Sequence, residues 1–507
     1  MIAQNQSARK SELVELVAGL EQFVEEAARQ GTAAHEVEEG LFRRMLPVCR
    51  ELLDRFFALQ GTGDVGETFT LPDGRVLQRF AEPHARQYGT IFGEFTLHRT
   101  VYGEREGQKI EAVPLDARLQ LPDSKFSHLL QSWDQLLATE QPYAQVSRVF
   151  EMILGLRQHT DSLERMSRRL SPDAEEFCWS RPVPPAKEEG EILVESADGK
   201  GVPIRHAADA PPIRDHQHRP GPKPDRKRVA TVGAVYSVDR YLRGPDDVLD
   251  ALFHDPAASS QPAPPRPRPQ HKWSYARLND DPQQPDPVNG QAAVFGWADE
   301  CLRARLARRR KPVEVVCLMD GDESLWETKA RLQEDLVTVD ILDLLHVTPR
   351  LWTAAKLFHP GDHKRAELFV REQTRRILHG QVQTVIHSLR ARATRRGLPA
   401  QRKAKLEQIC GYFAKNQERM RYDEYLQKGY PIASGVIEGA CRHVVKDRLE
   451  RTGMSWTRPG AQAMLNLRAI QTCDEWEVFD KYRIKRETLR LYPYRDTLQT
   501  IEWPLAA

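Results

Sequence analysis

Two apolar runs, ILVESAD at 192–198 and EVVCLMDGD at 314–322, each carry carboxylates where the apolar stretch gives out. A short apolar run bounded by turn residues reads as a buried strand. A carboxylate at the end of such a strand is costly unless its charge is compensated. Two of these strands side by side would let Asp198, Asp320 and Asp322 share divalent cations, which carboxylate oxygens hold well. Asp320 is the preferred ligand of the DGD pair, because it directly ends the apolar run. Two ions held this way clamp an in-line phosphoryl displacement at the attacking and leaving oxygens. The plainer reading is that Asp198-Gly199 and Asp320-Gly321 are ordinary turns after strands.

A third block tips the balance towards chemistry. Residues 430–470 read YPIASGVIEGACRHVVKDRLERTGMSWTRPGAQAMLNLRAI. Ser434 or Gly435 opens a helix, and Ile437, Cys441, Val444 and Val445 make an apolar stripe at helical spacing. Glu438 lies in the first turn beside that stripe. Arg442, Lys446, Arg448 and Arg451 project from the same helix and are expected to hold phosphates. An acid that favours a helix N-terminus, with Arg442 as its i+4 partner, would explain the first pair alone.

The remaining sequence gives the setting. At ~150 residues per domain, 507 residues suggest about three domains, and 40% apolar residues suffice for real cores. Lys and Arg total 74 against 72 Asp and Glu, so a nucleic-acid surface must come from local segregation of charge. Mean hydropathy is −0.59 and no apolar run reaches ~18 residues, so no membrane span is expected. The N-terminus lacks an apolar export region, and seven scattered cysteines without a CxxC fit reduced thiols; a cytoplasmic protein is expected.

Residues 10–60 read as helical, with Ser11 a possible cap. LPDGRVLQRF holds a hairpin signal at Asp73-Gly74, and TIFGEFTLHRTVYG alternates as a strand or two around Gly93. Residues 124–170 return to helix. There Val146, Val149, Phe150 and Ile153 face one way, and Leu163, Met166 and Leu170 continue after a Gly155 turn. This suits a helix-turn-helix in which Arg157, Arg165, Arg168 and Arg169 meet phosphates or base edges. A plain helical hairpin with a basic face fits as well. A Pro cluster near 180–190 marks a boundary. Residues 207–228 and 254–290 read as Pro-rich loops, KRVATVGAVYSV as a strand, and 325–430 as helical. Basic runs at 303–311, with Arg308, Arg309 and Arg310, and at 392–405 add candidate DNA contacts. Trp326, Trp352 and Trp456 suit base stacking or, more simply, core packing.

The block from Ser434 to Arg468 resembles the third-acid signature of DDE insertion-sequence transposases, most closely the ISKra family. The resemblance extends to VESADGKGVPIR, GAVYSV, VCLMDGDESLW and ILDLLHVTPRLWTAAKLFHP, and covers most of 85–470. It implies an α+β, RNase H-like core with a mixed five-stranded sheet flanked by helices, and the triad Asp198, Asp320 and Glu438 holding two Mg²⁺ ions, with Mn²⁺ a possible substitute. Asp343 and His346 resemble an auxiliary D-x-x-H pair of related Mutator-like enzymes. The 118 residues from Asp320 to Glu438 leave room for a helical insertion.

The expected organisation follows. Residues 1–120 form a helical and β-rich region, and 121–185 a helix-turn-helix-like region. Residues 186–345 begin the core, 346–430 are the insertion, and 431–507 end the core with a C-terminal tail. Many family members carry paired cysteines after the β-rich stretch. VYGEREGQKIEAVPLD has none, so a zinc module is not expected. The implied activity is binding of inverted-repeat ends in double-stranded DNA by a dimer or larger assembly, followed by cleavage and strand transfer. An RNase H-like nuclease without strand transfer, or a non-catalytic DNA-binding regulator, would share many of these features.

Overall fold

The computed structural model describes residues 2–205, 227–253, 265–280, 286–451, 453–501 and 503. The chain divides into two units, residues 1–167 with 476–507, and residues 168–475.

In the first unit, Leu13, Leu16 and Leu20 recur at helical spacing on α1 (Ile2–Gln30), which packs against α2 (Ala34–Gln60). Because α1 begins at Ile2, Ser11 lies inside it and is not its cap. Asp73-Gly74 turns β1 (Thr68–Thr70) into β2 (Val76–Arg79), with Gly74 at φ 86°. A second hairpin joins β3 (His84–Thr90) to β4 (Gly93–Arg99), and β5 (Tyr102–Gly103) pairs with β2. Short helices follow: α3 (Pro114–Leu119), then α4 (His128–Glu140), whose N-cap Ser127 accepts the Leu130 N–H at 3.1 Å. The αL residue Gly155 ends α5 (Tyr143–Leu154).

The next helix, α6 (Thr160–Ser180), runs on past Leu170 and carries Pro172 within it. The expected single apolar face of α5 is divided. Val146 and Phe150 are buried, whereas Val149 and Ile153 line an open groove with Trp133. The C-terminal residues Tyr492, Tyr494 and Leu498 pack with Phe69, Leu77 and Tyr102 in a small aromatic core of this unit.

The second unit is built on one sheet. Its strands are β6 (Ile192–Pro203), β7 (Lys227–Val238), β8 (Gln270–Leu278), β9 (Glu314–Met319) and β10 (Thr338–Leu342), in the order β10-β9-β6-β7-β8. β6, β7 and β8 pair antiparallel, while β9 is parallel to both β6 and β10. The architecture is therefore mixed α+β with a five-stranded mixed sheet. β6 and β7 are buried along nearly unbroken stretches, as expected of central strands covered on both faces.

Three expectations change here. β8 falls inside the stretch read as a Pro-rich loop. The prolines stop at Pro269, and Trp273 and Tyr275 supply the aromatic residues that strands favour. β10 falls inside the stretch read as helical, where Thr338, Val339 and Ile341 are β-branched and lie beside β9. β6 does not end at Asp198, because its antiparallel ladder with β7 continues to Pro203↔Lys227. Most of the loop expected at 207–228, and the Pro-rich segments 254–264 and 281–285, lie outside the described residues.

Helices cover the sheet. α7 (Pro245–Phe253) packs in the main core, and α8 (Gly290–Leu306) lies on β7 and β8. A side chain at Gly233 on β7 would put its Cβ 2.5 Å from Val294 Cγ1, so glycine sets the closeness of α8. After α9 (Glu323–Leu332), five helices pack on the β6, β7, β9 and β10 core: α10 (Leu344–Phe358), α11 (His363–Leu378), α12 (Val382–Arg395), α13 (Ala400–Asn416) and α14 (Tyr422–Gln427). Then come α15 (Gly435–Ala440), a π-helical turn Cys441–Lys446, α16 (Asp447–Leu449) and α17 (Arg458–Gln471). No helix among the described residues is long and apolar enough to cross a membrane.

Candidate metal centre

Strand register brings three of the expected acids into one row. On β6 and β9, Ile192 pairs with Glu314 and Glu195 with Cys317, an offset of 122 residues that carries Asp198 to Asp320. On β9 and β10, Met319 pairs with Leu342, so the next residues are Asp320 and Asp343. Asp198, Asp320 and Asp343 thus stand level across adjacent strands.

Local hydrogen bonds set each of them. Asp322 is the N-cap of α9, accepting the Ser324 N–H at 2.9 Å and its hydroxyl at 2.8 Å. Asp322 thus serves the helix start, whereas Asp320 is the member of the DGD pair that feels the charges of Asp198 and His346. Asp320 accepts the Asp322 N–H at 2.8 Å, and the Trp326 indole donates to its carbonyl at 2.7 Å. Gly321 has no side chain for good reason, since a Cβ there would lie 2.3–2.6 Å from the ring edge and hydroxyl of Tyr412. Arg350 stacks on that ring at 3.4 Å. Asp343 caps α10 through the Leu345 N–H at 2.8 Å and also accepts the Ser434 N–H at 3.2 Å. Ser434 in turn caps α15 by accepting the Ile437 N–H at 3.3 Å.

Glu438 arrives from α15. Asp343, His346 and exposed Glu438 each offer a ligand atom, all within 4.8 Å of one another. Cys441, one turn further on, donates its thiol to Asp198 at 3.4 Å and so docks this segment on β6. Burial raises the Asp320 pKa, and the negative charge of Asp198 adds to the rise while His346 opposes it. Burial raises that of Asp343 too, with Glu438 contributing. Among the described residues, the group whose ligand atoms lie within 4.8 Å of one another is Asp343, His346 and Glu438; Asp198 and Asp320 adjoin it electrostatically but are not part of that group.

Among the described residues, none of these four carboxylates has a Lys or Arg ion-pair partner. Carboxylates gathered without a protein cation suit a hard divalent ion such as Mg²⁺ or Mn²⁺. Both Asp343 oxygens accept backbone N–H groups, and both Asp198 oxygens are engaged as well, by the Gly199 N–H at 2.7 Å and the Cys441 thiol, while Asp320 accepts the Asp322 N–H through one oxygen.

The supports of this cluster were not foreseen. Cys441 and Ser434 appeared in the sequence only as a stripe residue and a helix start. Buried Arg468 donates to the carbonyls of His443 and, at 3.2 Å, Val444, which the π-helical turn presents to it. Such turns interrupt regular helices often at functional sites.

The expected DNA-binding residues divide. Arg157, Arg165, Arg168 and Arg169 are exposed at the turn before α6 and on α6 itself. Arg310, Arg442, Lys446 and Arg451 are exposed as well. Arg308 is exposed but donates to the Val183 carbonyl at 2.9 Å. Arg309 turns inward, donating to the carbonyls of Ala186 and Gly190 and pairing with Glu189 at 3.3 Å. Glu189 also pairs with fully buried Arg305, which stacks on Trp273. Part of the 303–311 run thus pins a loop to the sheet.

Arg448 is likewise no surface phosphate ligand. It is 1% exposed, stacked on Trp456 and directed at the Met454 sulfur. Arg448→Ala is expected to lower the unfolding temperature by the equivalent of about 2 kcal/mol or more, through lost packing. Trp326 and Trp456 are buried, and Trp352 is half-buried against the core and His363, so all three pack.

No protein-family model matches this chain, and a search of curated proteins returned no match.

Proposed function

We propose that this chain is a DDE transposase with an RNase H-like core, cutting DNA at the ends of an insertion sequence and joining those ends to target DNA. The observation that carries the reading is the row Asp198–Asp320–Asp343 across β6, β9 and β10, with Glu438 brought to it by α15. The five-stranded mixed sheet flanked by helices supports the RNase H-like assignment.

Asp198, Asp320 and Glu438 would hold two Mg²⁺ ions, which when bound supply Lewis-acid polarisation of the scissile phosphate and offset its developing charge. The residues do the rest. Asp322 and Asp343 fix the turns that aim the row. Cys441 holds the Asp198 carboxylate through its thiol. His346, beside Asp343 and Glu438, would help orient the attacking hydroxyl. Lys446, exposed two turns beyond Glu438, and Arg442, exposed one turn beyond it and paired with Asp447 at 3.5 Å, would meet backbone phosphates. Two DNA ends must be handled together, so the working form is a dimer or larger.

The test is strand transfer. Purified chain, Mg²⁺ and labelled DNA carrying the element's ends are incubated with a plasmid target, and joined products are sought on a denaturing gel. Joined product supports the reading. Cleavage without joining would instead make the chain an RNase H-like nuclease, and binding without either would make it a regulator.

A further inference from the structure

A pocket of about 380 Å³ lies next to the acid cluster in the second unit. Its lining includes Tyr236, Tyr241, Arg243, Arg266, Arg268 and Val436. Val436 belongs to α15, two residues before Glu438. Tyr236 lies within electrostatic reach of both Arg266 and Asp343. The pocket and the acid row are thus neighbours across one tyrosine.

The arginines here differ from their neighbours. Nearby Arg240 pairs with Glu314, Arg371 with Asp250 at 3.1 Å and Arg375 with Asp246 at 2.9 Å. Among the described residues, Arg243, Arg266 and Arg268 have no such carboxylate. Arg243 is partly shielded; among the described residues its hydrogen bond goes to the Tyr241 carbonyl at 3.4 Å, and burial and the Arg266 charge disfavour its own charge while Asp247 offsets them in part. The lining acid Asp239 is exposed and accepts from Gln270 at 3.3 Å. Asp247 is occupied by the Gly244 N–H at 2.7 Å. Holding the partly shielded Arg243 guanidinium beside the like charge of Arg266, with Asp247 offsetting it only at a distance and no direct carboxylate pair, is eased when an anion arrives. The remaining walls are apolar or aromatic: Val238, Pro431, Val436, and the Tyr241 ring under Arg243 at 5.0 Å. A flat aromatic body attached to an anion satisfies both parts.

The geometry points to a nucleotide-binding subsite: Arg243 and Arg266 hold a phosphate, and Tyr241 with the apolar wall takes the base of an unpaired nucleotide flanking the cut. This rests on the DNA-processing reading above and deepens it. It requires that the strand be unpaired next to the scissile phosphate, because a base in a duplex could not enter the pocket.

Mononucleotide binding tests it without any need for catalysis. The full chain, in EDTA, is titrated with thymidine 5′-monophosphate, thymidine and inorganic phosphate by calorimetry. The monophosphate is expected to bind roughly tenfold or more tighter than either fragment. Arg243→Gln and Arg266→Gln should each weaken it by about tenfold, as should Tyr241→Ala, while Asp320→Asn leaves it unchanged. Arg266 is exposed, so its variant reports on binding even if the Arg243 variant folds poorly. Monophosphate binding no tighter than phosphate, or unaltered binding by Arg266→Gln, overturns the subsite. Monophosphate binding by a chain that gives no strand transfer upholds the subsite and counts against the transposase. Strand transfer by a chain that ignores the monophosphate does the reverse.

Discussion

Asp320→Asn is expected to reduce strand cleavage by roughly 10³-fold or more, about 4 kcal/mol of transition-state stabilisation, with the chain still folded. The substitution keeps the shape of the side chain and the acceptor for the Asp322 N–H, and removes only the charge. Because burial and Asp198 already disfavour that charge, its loss should leave the unfolding temperature unchanged or slightly higher. Asp198→Asn and Glu438→Gln should behave alike, measured as labelled product per unit time at saturating Mg²⁺.

Asp322→Ala provides the contrast. Removing an N-cap costs about 0.5–2 kcal/mol of stability, so α9 should loosen while cleavage falls far less. If Asp198→Asn left every activity intact, the catalytic reading would fail. If Asp322→Ala were the dead variant instead, the ligand would have been assigned to the wrong member of the DGD pair.

The difference between those two aspartates was only half legible in the sequence. Apolar periodicity located β6, β7 and β9, because buried central strands write themselves as unbroken runs of Val, Ile and Leu. It missed β8, an edge strand with prolines on both sides, and β10, five residues set within a long helical stretch. Both misses are edge strands whose burial depends on partners far away in the chain.

The row of acids was visible as two strand ends and one helix start. That Asp343 joins it depends on β10, so sequence reasoning reached Asp343 and His346 only through a resemblance. Charge runs were the weakest guide. Arg305, Arg309 and Arg448 look like any surface arginine in sequence, yet tertiary packing turns all three inward. Conversely, the arginines of the pocket belong to no run at all. Arg243 and Arg266 are 23 residues apart and meet only once the chain folds.

Raising the pH from 5 to 8 is expected to destabilise the first unit progressively, and Asp134→Asn should abolish that trend. Asp134 lies on the buried stripe of α4 with Leu130 and Ala138, one turn from each. It is fully buried, and neither carboxylate oxygen has a hydrogen-bond partner among the described residues. Burial pushes its pKa up to about 8 from the ordinary 3.8. An unfolded chain therefore loses this proton near pH 4, while the folded chain keeps it until about pH 8. Over that window the unfolded state binds fewer protons, so stability falls as pH rises and the full penalty is reached above the folded pKa.

At pH 7 the gap amounts to roughly 3 pH units, or roughly 4 kcal/mol. An asparagine resembles the protonated acid in size and in its unmet hydrogen bonds, but never ionises. The variant should match the native chain at pH 4 and exceed it increasingly towards pH 8. Thermal unfolding followed by calorimetry between pH 5 and 8 reads this directly. Parallel curves for the native chain and Asp134→Asn across that range would mean that the carboxylate ionises normally in the folded chain.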